Sequence, residues 1–349
     1  MIKESIPKLI DKKDLTAEEA TAAMNDIMSG TATPAQIGAF LVALRMKGET
    51  VDEIVSFANA MLSHAVRLTP KVKGTLVDTC GTGGDKIKTF NVSTAAAFVA
   101  SGAGIPVAKH GNRSVTSNCG SADVLEALGV NISAEPATVE KCIEGIGIGF
   151  MFAPIFHPAM KFAVAPRKEL GIRTVFNVLG PLTNPAGAKA QVLGVYDASL
   201  TEKLANVLME LGSRSAMVVH GLDGVDEISN IGETQISMLR NSSVETVCYS
   251  PEELGAKRAK LGDIGGASPE ENAIRLIRIL KGEKSALGDL VVLNSAAAII
   301  VGGMADDWGD AADIARNSIK SGMAYQKLTA LITASGGDLQ KFKRLESKT

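Results

Sequence analysis

Residues 77–128 concentrate groups that could hold a phosphorylated ligand. Asp78-Thr79-Cys80-Gly81-Thr82-Gly83-Gly84-Asp85 leads through Thr89 to Asn91-Val92-Ser93-Thr94. Lys109-His110-Gly111-Asn112-Arg113-Ser114-Val115-Thr116-Ser117 follows, and then Gly120-Ser121. Glycines bring backbone N–H groups close to an anion, and hydroxyls and amides add donors. Lys109 and Arg113 supply positive charge, the arginine in a form that can grip phosphate with two nitrogens. The glycine loop is neither a Walker loop, which needs a lysine followed by serine or threonine, nor the dinucleotide fingerprint, whose glycines are spaced differently. A tight strand-to-helix turn alone would account for 81–85, and capping alone for 91–94. Their closeness in the chain favours a site. Farther on, Asp226-Glu227 closes His220-Gly221-Leu222-Asp223-Gly224-Val225. Adjacent carboxylates on a loop suit Mg2+, which takes oxygen ligands and shares them with phosphates. A solvated acidic turn is the simpler account of that spacing, and Asp223 is a rival ligand.

These residues need a scaffold. The first seventy residues look all-helical. Thr16-Ala17-Glu18-Glu19 fits a capping box, and Thr33-Pro34 places a cap before proline at the first helical position. Ile37, Phe40, Leu41, Leu44 and Met46 recur at helical spacing up to Gly48, as do Ile54, Phe57, Ala58, Met61 and Leu62 over 51–65. After Pro70 short apolar runs alternate with helical segments. Strands are expected at 75–78, 105–108, 146–152, 190–195 and 216–220, with helices at 94–103, 122–128, 137–144 and 200–211. This alternation predicts an α/β fold with a mostly parallel central sheet. Both loops of the first paragraph then lie beyond strand ends on one rim, where parallel sheets bind ligands. A helix starts at Phe156-His157-Pro158 and is disturbed by Pro166, and Asn184-Pro185-Ala186-Gly187 is a turn. The expected division is a helical domain of 1–70, joined by about 158–188, and an α/β domain of 71–157 and 189–349. Ser268-Pro269-Glu270-Glu271 opens a helix to Leu280, helices continue to Leu331, and 339–349 are expected to fray.

Several of these motifs, in this order, resemble the anthranilate phosphoribosyltransferases. The likeness rests on 81–85, 91–94, 109–113, the run 120–129, His157-Pro158-Ala159-Met160, Glu169-Leu170-Gly171-Ile172-Arg173-Thr174, the run 177–185 and Asp226-Glu227. It implies transfer of a phosphoribosyl group from phosphoribosyl pyrophosphate to anthranilate in tryptophan biosynthesis. It also implies a small helical domain beside a larger α/β domain, a homodimer and Mg2+. By resemblance Gly81, Gly84, Asp85, Thr89, Asn91, Val92, Ser93, Thr94, the run 109–117 and Ser121 would hold phosphoribosyl pyrophosphate. Gly81, Asn112, His157 and Arg167 would bind anthranilate, Arg167 by pairing with its carboxylate and His157 by lining the entrance. Ser93, Asp226 and Glu227 would serve the metal, and no residue is expected to act as a covalent nucleophile. Lys86 and Lys88 depart from the family pattern, which more often has small residues there. A pyrimidine nucleoside phosphorylase of the same fold is the nearest rival, and Gly111-Asn112-Arg113 with Asp226-Glu227 favours the transferase.

The bulk numbers narrow the field. The chain has 349 residues, 46% of them apolar, enough for about two domains. With 36 basic and 38 acidic residues and 4% aromatics, it lacks the basic excess and stacking platforms of a general nucleic-acid binder. Cys80, Cys119, Cys142 and Cys248 show no metal or redox spacing and read as reduced thiols of a cytoplasmic protein, with Cys80 and Cys119 packing beside the site. No apolar run is long enough to span a bilayer, and residues 291–304 read as a buried helix.

Overall fold

The structure, a computed structural model, describes residues 1–84, 87, 89–114 and 119–349. Its N-terminal part is four helices: α1 (Ile2–Ile10), α2 (Ala17–Met28), α3 (Pro34–Lys47) and α4 (Val51–Ser63). Thr16, Thr33 and Thr50 start α2, α3 and α4 with complete capping boxes, their hydroxyls accepting from the N–H of Glu19, Gln36 and Glu53. Ile37, Phe40, Leu41 and Leu44 are buried, and the Phe40 and Phe57 rings meet edge to face at 5.9 Å. Met46 breaks the expected stripe and is 76% exposed. It lies two residues after Leu44, on the opposite side of the helix.

The rest is built around a seven-stranded sheet in the order β3-β2-β1-β4-β5-β6-β7. Its strands are β1 (Val77–Gly81), β2 (Val107–Gly111), β3 (Ile148–Phe152), β4 (Ala190–Gly194), β5 (Ser215–Gly221), β6 (Thr234–Arg240) and β7 (Ser243–Tyr249). The first five run parallel. Their crossovers are α5 (Val92–Ala103), α6 (Ser121–Ala127), α7 (Pro136–Ile146), α8 (Ala153–Phe156), α9 (Lys161–Leu170), α10 (Phe176–Leu182) and α11 (Leu200–Glu210). Both faces of the parallel part are covered, so β1 to β5 are buried nearly throughout, their polar residues Asp78, Thr79, Lys109, His110, Gln191 and His220 included. Along β5, Met217 and Val219 join the core under α5, while Ala216 and Val218 join the core under α11 and the N-terminal helices, the period-two alternation of a strand.

The last helices are α12 (Pro269–Leu280), α13 (Ala286–Val301), α14 (Trp308–Lys320), α15 (Met323–Ala334) and α16 (Leu339–Glu346). Helix α13 is the buried apolar run, packed on α5 and α14. Three details differ from expectation. Strands β6 and β7, in a stretch for which no strand was expected, form an antiparallel hairpin. Its tip is Asn241-Ser242, both at positive φ, and lacks the glycine that usually flags such a turn. Pro166 sits inside α9 without ending it. The C-terminal residues 339–346 are helical, with Phe342 and Leu345 buried and Glu346 paired to Lys281 at 2.8 Å. Helix α9 packs on α2 and α3, and α10 on α4. Among the described residues, no helix is long and apolar enough to cross a membrane.

Candidate functional site

The sheet has one point where its order reverses. The chain moves outward from β1 through β2 to β3, then returns to lay β4 on the other side of β1. Beyond the carboxyl ends of those two strands lies the crevice where open parallel sheets bind ligands. The strands end there as a pair of glycines, Gly81 beside Gly194. Both are needed by what covers them. A Cβ at Gly194 would lie 1.6 Å from the Asp226 carbonyl oxygen, and one at Gly81 would lie 2.9 Å from Asp226 Oδ2. The loop after β5 thus lays Asp226 directly over the crevice. Gly83 N–H donates to Asp226 Oδ2 at 3.0 Å, Thr82 N–H to the Gly194 carbonyl at 2.9 Å. Gly83 and Gly84 take φ of 63° and 82°, which glycine adopts freely. The Arg173 guanidinium donates to the Gly84 carbonyl and lies 4.1 Å from the Tyr196 ring centre, tying the glycine loop to the connection between α9 and α10.

The amino end of α5 faces the same rim. Asn91 occupies the capping position, yet its side chain makes no cap. The expected capping role of Asn91 is therefore not realised. Its Nδ2 donates to the Cys119 carbonyl at 3.0 Å, and its Oδ1 accepts from Asn272 Nδ2 at 3.0 Å. Thr94 Oγ1 is buried and has no hydrogen-bond partner among the described residues. A positive helix end with an orphaned hydroxyl is suited to an anion. Thr89 forms an antiparallel bridge with Gly265, and Phe90 N–H donates to the Ile264 carbonyl at 3.2 Å.

Lys109 lies in the middle of β2 and does not reach the surface. It is 3% exposed, and its Nζ donates to the Thr79 carbonyl and to Ser93 Oγ, the latter at 3.2 Å. Burial lowers its pKa, while the charges of Asp78 and Glu227 act the other way. Its cation thus lies under the α5 N-terminus rather than in an open loop, where sequence had put it. Burial raises Asp78 to about 6, offset by Lys109, by Asn184 Nδ2 donating at 2.8 Å and by His110 N–H at 3.2 Å.

Arg113 also differs from expectation. Its guanidinium is held by both oxygens of Glu126, at 2.8 and 2.9 Å, and by Asp123 at 3.0 Å. Those hydrogen bonds push its pKa up. Asp123 also receives the N–H groups of Ser114 and Gly120 at 3.0 and 2.9 Å. Ser121 Oγ donates to the Asn112 carbonyl at 3.3 Å, and Asn112 Oδ1 accepts the Arg113 N–H at 2.8 Å. The basic turn is thus folded onto α6 by carboxylates.

Below it the His110 and His157 rings meet at a tilt of 49°, ring centres 5.0 Å apart. His110 Nδ1 is 3.2 Å from the Gly180 carbonyl and His157 Nε2 is 3.1 Å from the Thr183 carbonyl. Carbonyls only accept, so those nitrogens carry the protons. His110 Nε2 and His157 Nδ1 are left as buried lone pairs without partners among the described residues. Burial first, and for His110 the neighbouring His157 second, lowers the pair to about 3 and about 4, so both are neutral at pH 7. His157 is buried, not open to solvent as an entrance residue would be. On α9, half-buried Arg167 lies 5.3 Å from the Phe176 ring centre and, among the described residues, has no ion pair. Burial lowers its pKa.

This arrangement agrees with comparisons to known proteins. The profile of the glycosyl transferase family helical bundle domain matches residues 3–65, and that of its a/b domain matches residues 73–325. The anthranilate phosphoribosyltransferase of Methanococcoides burtonii is 54% identical over 97% of this chain and 95% of its own length. That of Acetivibrio thermocellus is 53% identical over 95% and 96%. The chain belongs to the anthranilate phosphoribosyltransferase family. Among solved members, the Thermus thermophilus enzyme superimposes with a TM-score of 0.90 at 42% identity, covering 95% of this chain and 99% of that one. The Saccharomyces cerevisiae enzyme in complex with PRPP and Mg gives 0.88 at 30% identity, covering 96% and 98%.

Gly81, Gly84, Thr89, Asn91–Thr94, Lys109, His110, Gly111, Asn112, Arg113, Ser114, Ser121, Asp226 and Glu227 all lie on or under this rim of the fold. Asp85, Lys86, Lys88, Val115, Thr116 and Ser117 fall outside the described residues. Asp223, the rival metal ligand, is engaged by its own turn, accepting from Ser229 Oγ and from Val225 N–H. Cys80 is buried as expected, its sulfur accepting from Gln191 Nε2 at 3.0 Å. Sequence reasoning assigned no role to Gly194 or Arg173. A lone glycine ending a strand carries no motif, and the Arg173 contact joins residues 89 positions apart.

Proposed function

We infer that the chain transfers the phosphoribosyl group of phosphoribosyl pyrophosphate to the amine of anthranilate, giving N-(5-phosphoribosyl)anthranilate and pyrophosphate, a step of tryptophan biosynthesis. The observation that carries this is the crevice between β1 and β4, where Asp226 is seated on two glycines beside the uncapped end of α5. The diphosphate and ribose are assigned to Gly81, Gly84, Thr89, Asn91–Thr94, the 109–114 turn and Ser121. Backbone N–H groups and the buried Lys109 cation stabilise charge on the leaving pyrophosphate. The Thr94 hydroxyl, unpartnered among the described residues, is assigned to the same group.

The donor set fits Mg2+ carried in on phosphate. Among the described residues no cluster of three or more His, Cys, Asp or Glu forms a protein cage. Asp226 and Glu227 with the Ser93 hydroxyl leave places for phosphate oxygens and water, which is how Mg2+ is usually held. Bound there, Mg2+ neutralises charge on the pyrophosphate.

Anthranilate is assigned to Gly81, Asn112, His157 and Arg167. Arg167 pairs with its carboxylate, a role supported by a half-buried guanidinium that has no acid partner among the described residues. The amine is a weak but uncharged nucleophile, so positioning matters more than deprotonation. The unpartnered imidazole nitrogens, both acceptors, suit an N–H donor. The displacement is single and needs no covalent nucleophile. In this reading residues 1–70 with 158–188 form the anthranilate-side domain, and 71–157 with 189–349 the phosphoribosyl side. A second copy of the chain completes a cytoplasmic homodimer.

The test is a fluorescence assay with anthranilate, phosphoribosyl pyrophosphate and Mg2+. The chain is expected to turn over only with all three present, and replacing both Asp226 and Glu227 with alanine is expected to remove most Mg2+-dependent turnover without unfolding. Phosphorolysis of uridine or thymidine in place of this reaction would overturn the assignment.

A further inference from the structure

Asparagine is among the best helix-capping residues, because its side-chain oxygen accepts the free N–H groups of the first turn. Asn91 stands at that position of α5 and does not cap. Its amide is held elsewhere by a chain of directed hydrogen bonds. Asn272 Oδ1 accepts Ala267 N–H at 2.9 Å, which fixes that oxygen. Asn272 Nδ2 must then point the other way, and it donates to Asn91 Oδ1 at 3.0 Å. Asn91 Nδ2 in turn donates to the Cys119 carbonyl at 3.0 Å. Asn272 is 1% exposed, so no water competes for these bonds. Backbone N–H groups are donors only, so the sense of the whole relay follows from Ala267. The segment before α12 reinforces it, through the Thr89–Gly265 bridge and Arg275 donating to the Gly265 carbonyl at 2.7 Å.

We propose that Asn272 is a positioning residue for phosphoribosyl pyrophosphate: it pulls the Asn91 amide away from the first turn of α5, where the Val92 and Thr94 N–H groups already donate to the Phe90 and Asn91 carbonyls, and so keeps the Ser93 N–H for the diphosphate. This rests on the reading that Asn91–Thr94 hold the diphosphate. Without Asn272 the Asn91 oxygen loses its donor. Held then only through its Nδ2 to the Cys119 carbonyl, the amide can turn inward and cap α5 itself, where it competes with the substrate. A cap so formed stabilises the helix, so the loss of binding is not a loss of fold.

The experiment measures KM for each substrate, kcat and thermal stability for Asn272→Ala, Asn91→Ala, the double variant and Ser93→Ala. Asn272→Ala is expected to raise KM for phosphoribosyl pyrophosphate about tenfold, the effect of one misplaced buried hydrogen bond. KM for anthranilate should stay within twofold. Adding Asn91→Ala to Asn272→Ala should bring KM back toward that of Asn91→Ala alone, because the competing cap is gone. The proposal is overturned if Asn272→Ala leaves KM for phosphoribosyl pyrophosphate within twofold. It is equally overturned if the two substitutions multiply, or if both KM values rise together with a fall in stability, as a merely structural asparagine would give. Ser93→Ala separates the two levels of the argument. A raised KM there with normal Asn272→Ala kinetics sinks only the positioning role, whereas no change in either removes the site assignment as well.

Discussion

Gly194→Ala adds one methyl group at the floor of the crevice. Its Cβ would meet the Asp226 carbonyl oxygen at 1.6 Å, and real contacts do not fall below 3.0 Å. The Asp226 backbone must therefore retreat by about 1.4 Å or more, because Gly194 is fixed between two strands by its pairing with Gly81 and Val219. Overpacking of this kind costs about 1–3 kcal/mol, a tolerable loss for a chain of this size. The effect on catalysis is larger, since moving a catalytic group by ~1 Å costs on the order of 100-fold. Initial rates across a Mg2+ titration, at saturating anthranilate, are expected to show kcat down about 100-fold and a higher Mg2+ requirement. Gly145→Ala is the control, since a Cβ at Gly145 meets nothing within 4 Å. It should leave turnover unchanged and stabilise α7 slightly, as alanine does in a helix. Turnover and Mg2+ dependence within threefold of wild type in Gly194→Ala would refute the seating of Asp226 as the determinant of this site.

Three further outcomes follow from other parts of the molecule. Arg167→Ala should raise KM for anthranilate about 10- to 100-fold, the range for a hydrogen-bonded charge pair, with KM for phosphoribosyl pyrophosphate little changed; steady-state kinetics with each substrate varied checks it, and the reverse pattern would exchange the two pockets. Glu53 is fully buried, pairs with Lys47 at 2.9 Å and accepts the N–H groups of Leu15 and Thr50, so Glu53→Ala should destabilise by about 3–5 kcal/mol in denaturant melts. His157 has a folded pKa of about 4 against 6.5 unfolded, so the unfolded chain binds its proton first and the stability His157 contributes is lost as pH falls through 6.5 toward 4. Asp78, raised to about 6, acts in the opposite sense, its destabilising ionisation setting in as pH rises from 3.8 to 6. His157→Gln should therefore shrink the loss of stability between pH 7 and pH 5 by about 2 kcal/mol in denaturant melts.

The architecture was legible because local signals were strong and agreed. Thr16, Thr33 and Ser268 cap the helices they were expected to cap, and the apolar runs that alternate with helices became the parallel strands. The hairpin of β6 and β7 was not, since its turn lacks glycine and β7 is half exposed. The C-terminal helix was missed because its stability comes from tertiary partners, Tyr325 and Lys281 on Glu346, that a charged stretch does not announce. For the site, motif order gave the family and the rim. It did not give the state of the side chains. Lys109 and Arg113 read as open phosphate grips, yet one is buried under α5 and the other is bound by carboxylates 10 and 13 residues away. Nor did it give Asn272, which lies 181 residues from Asn91.

The most direct measurement is a crystal structure of this chain with phosphoribosyl pyrophosphate and Mg2+. The account predicts the diphosphate over the β1–β4 crevice, against Gly81–Gly84 and the first turn of α5, with the metal between it and Asp226 and Glu227. Diphosphate bound instead at the opposite end of the sheet, in the groove lined by Arg214 and Arg240, would contradict it.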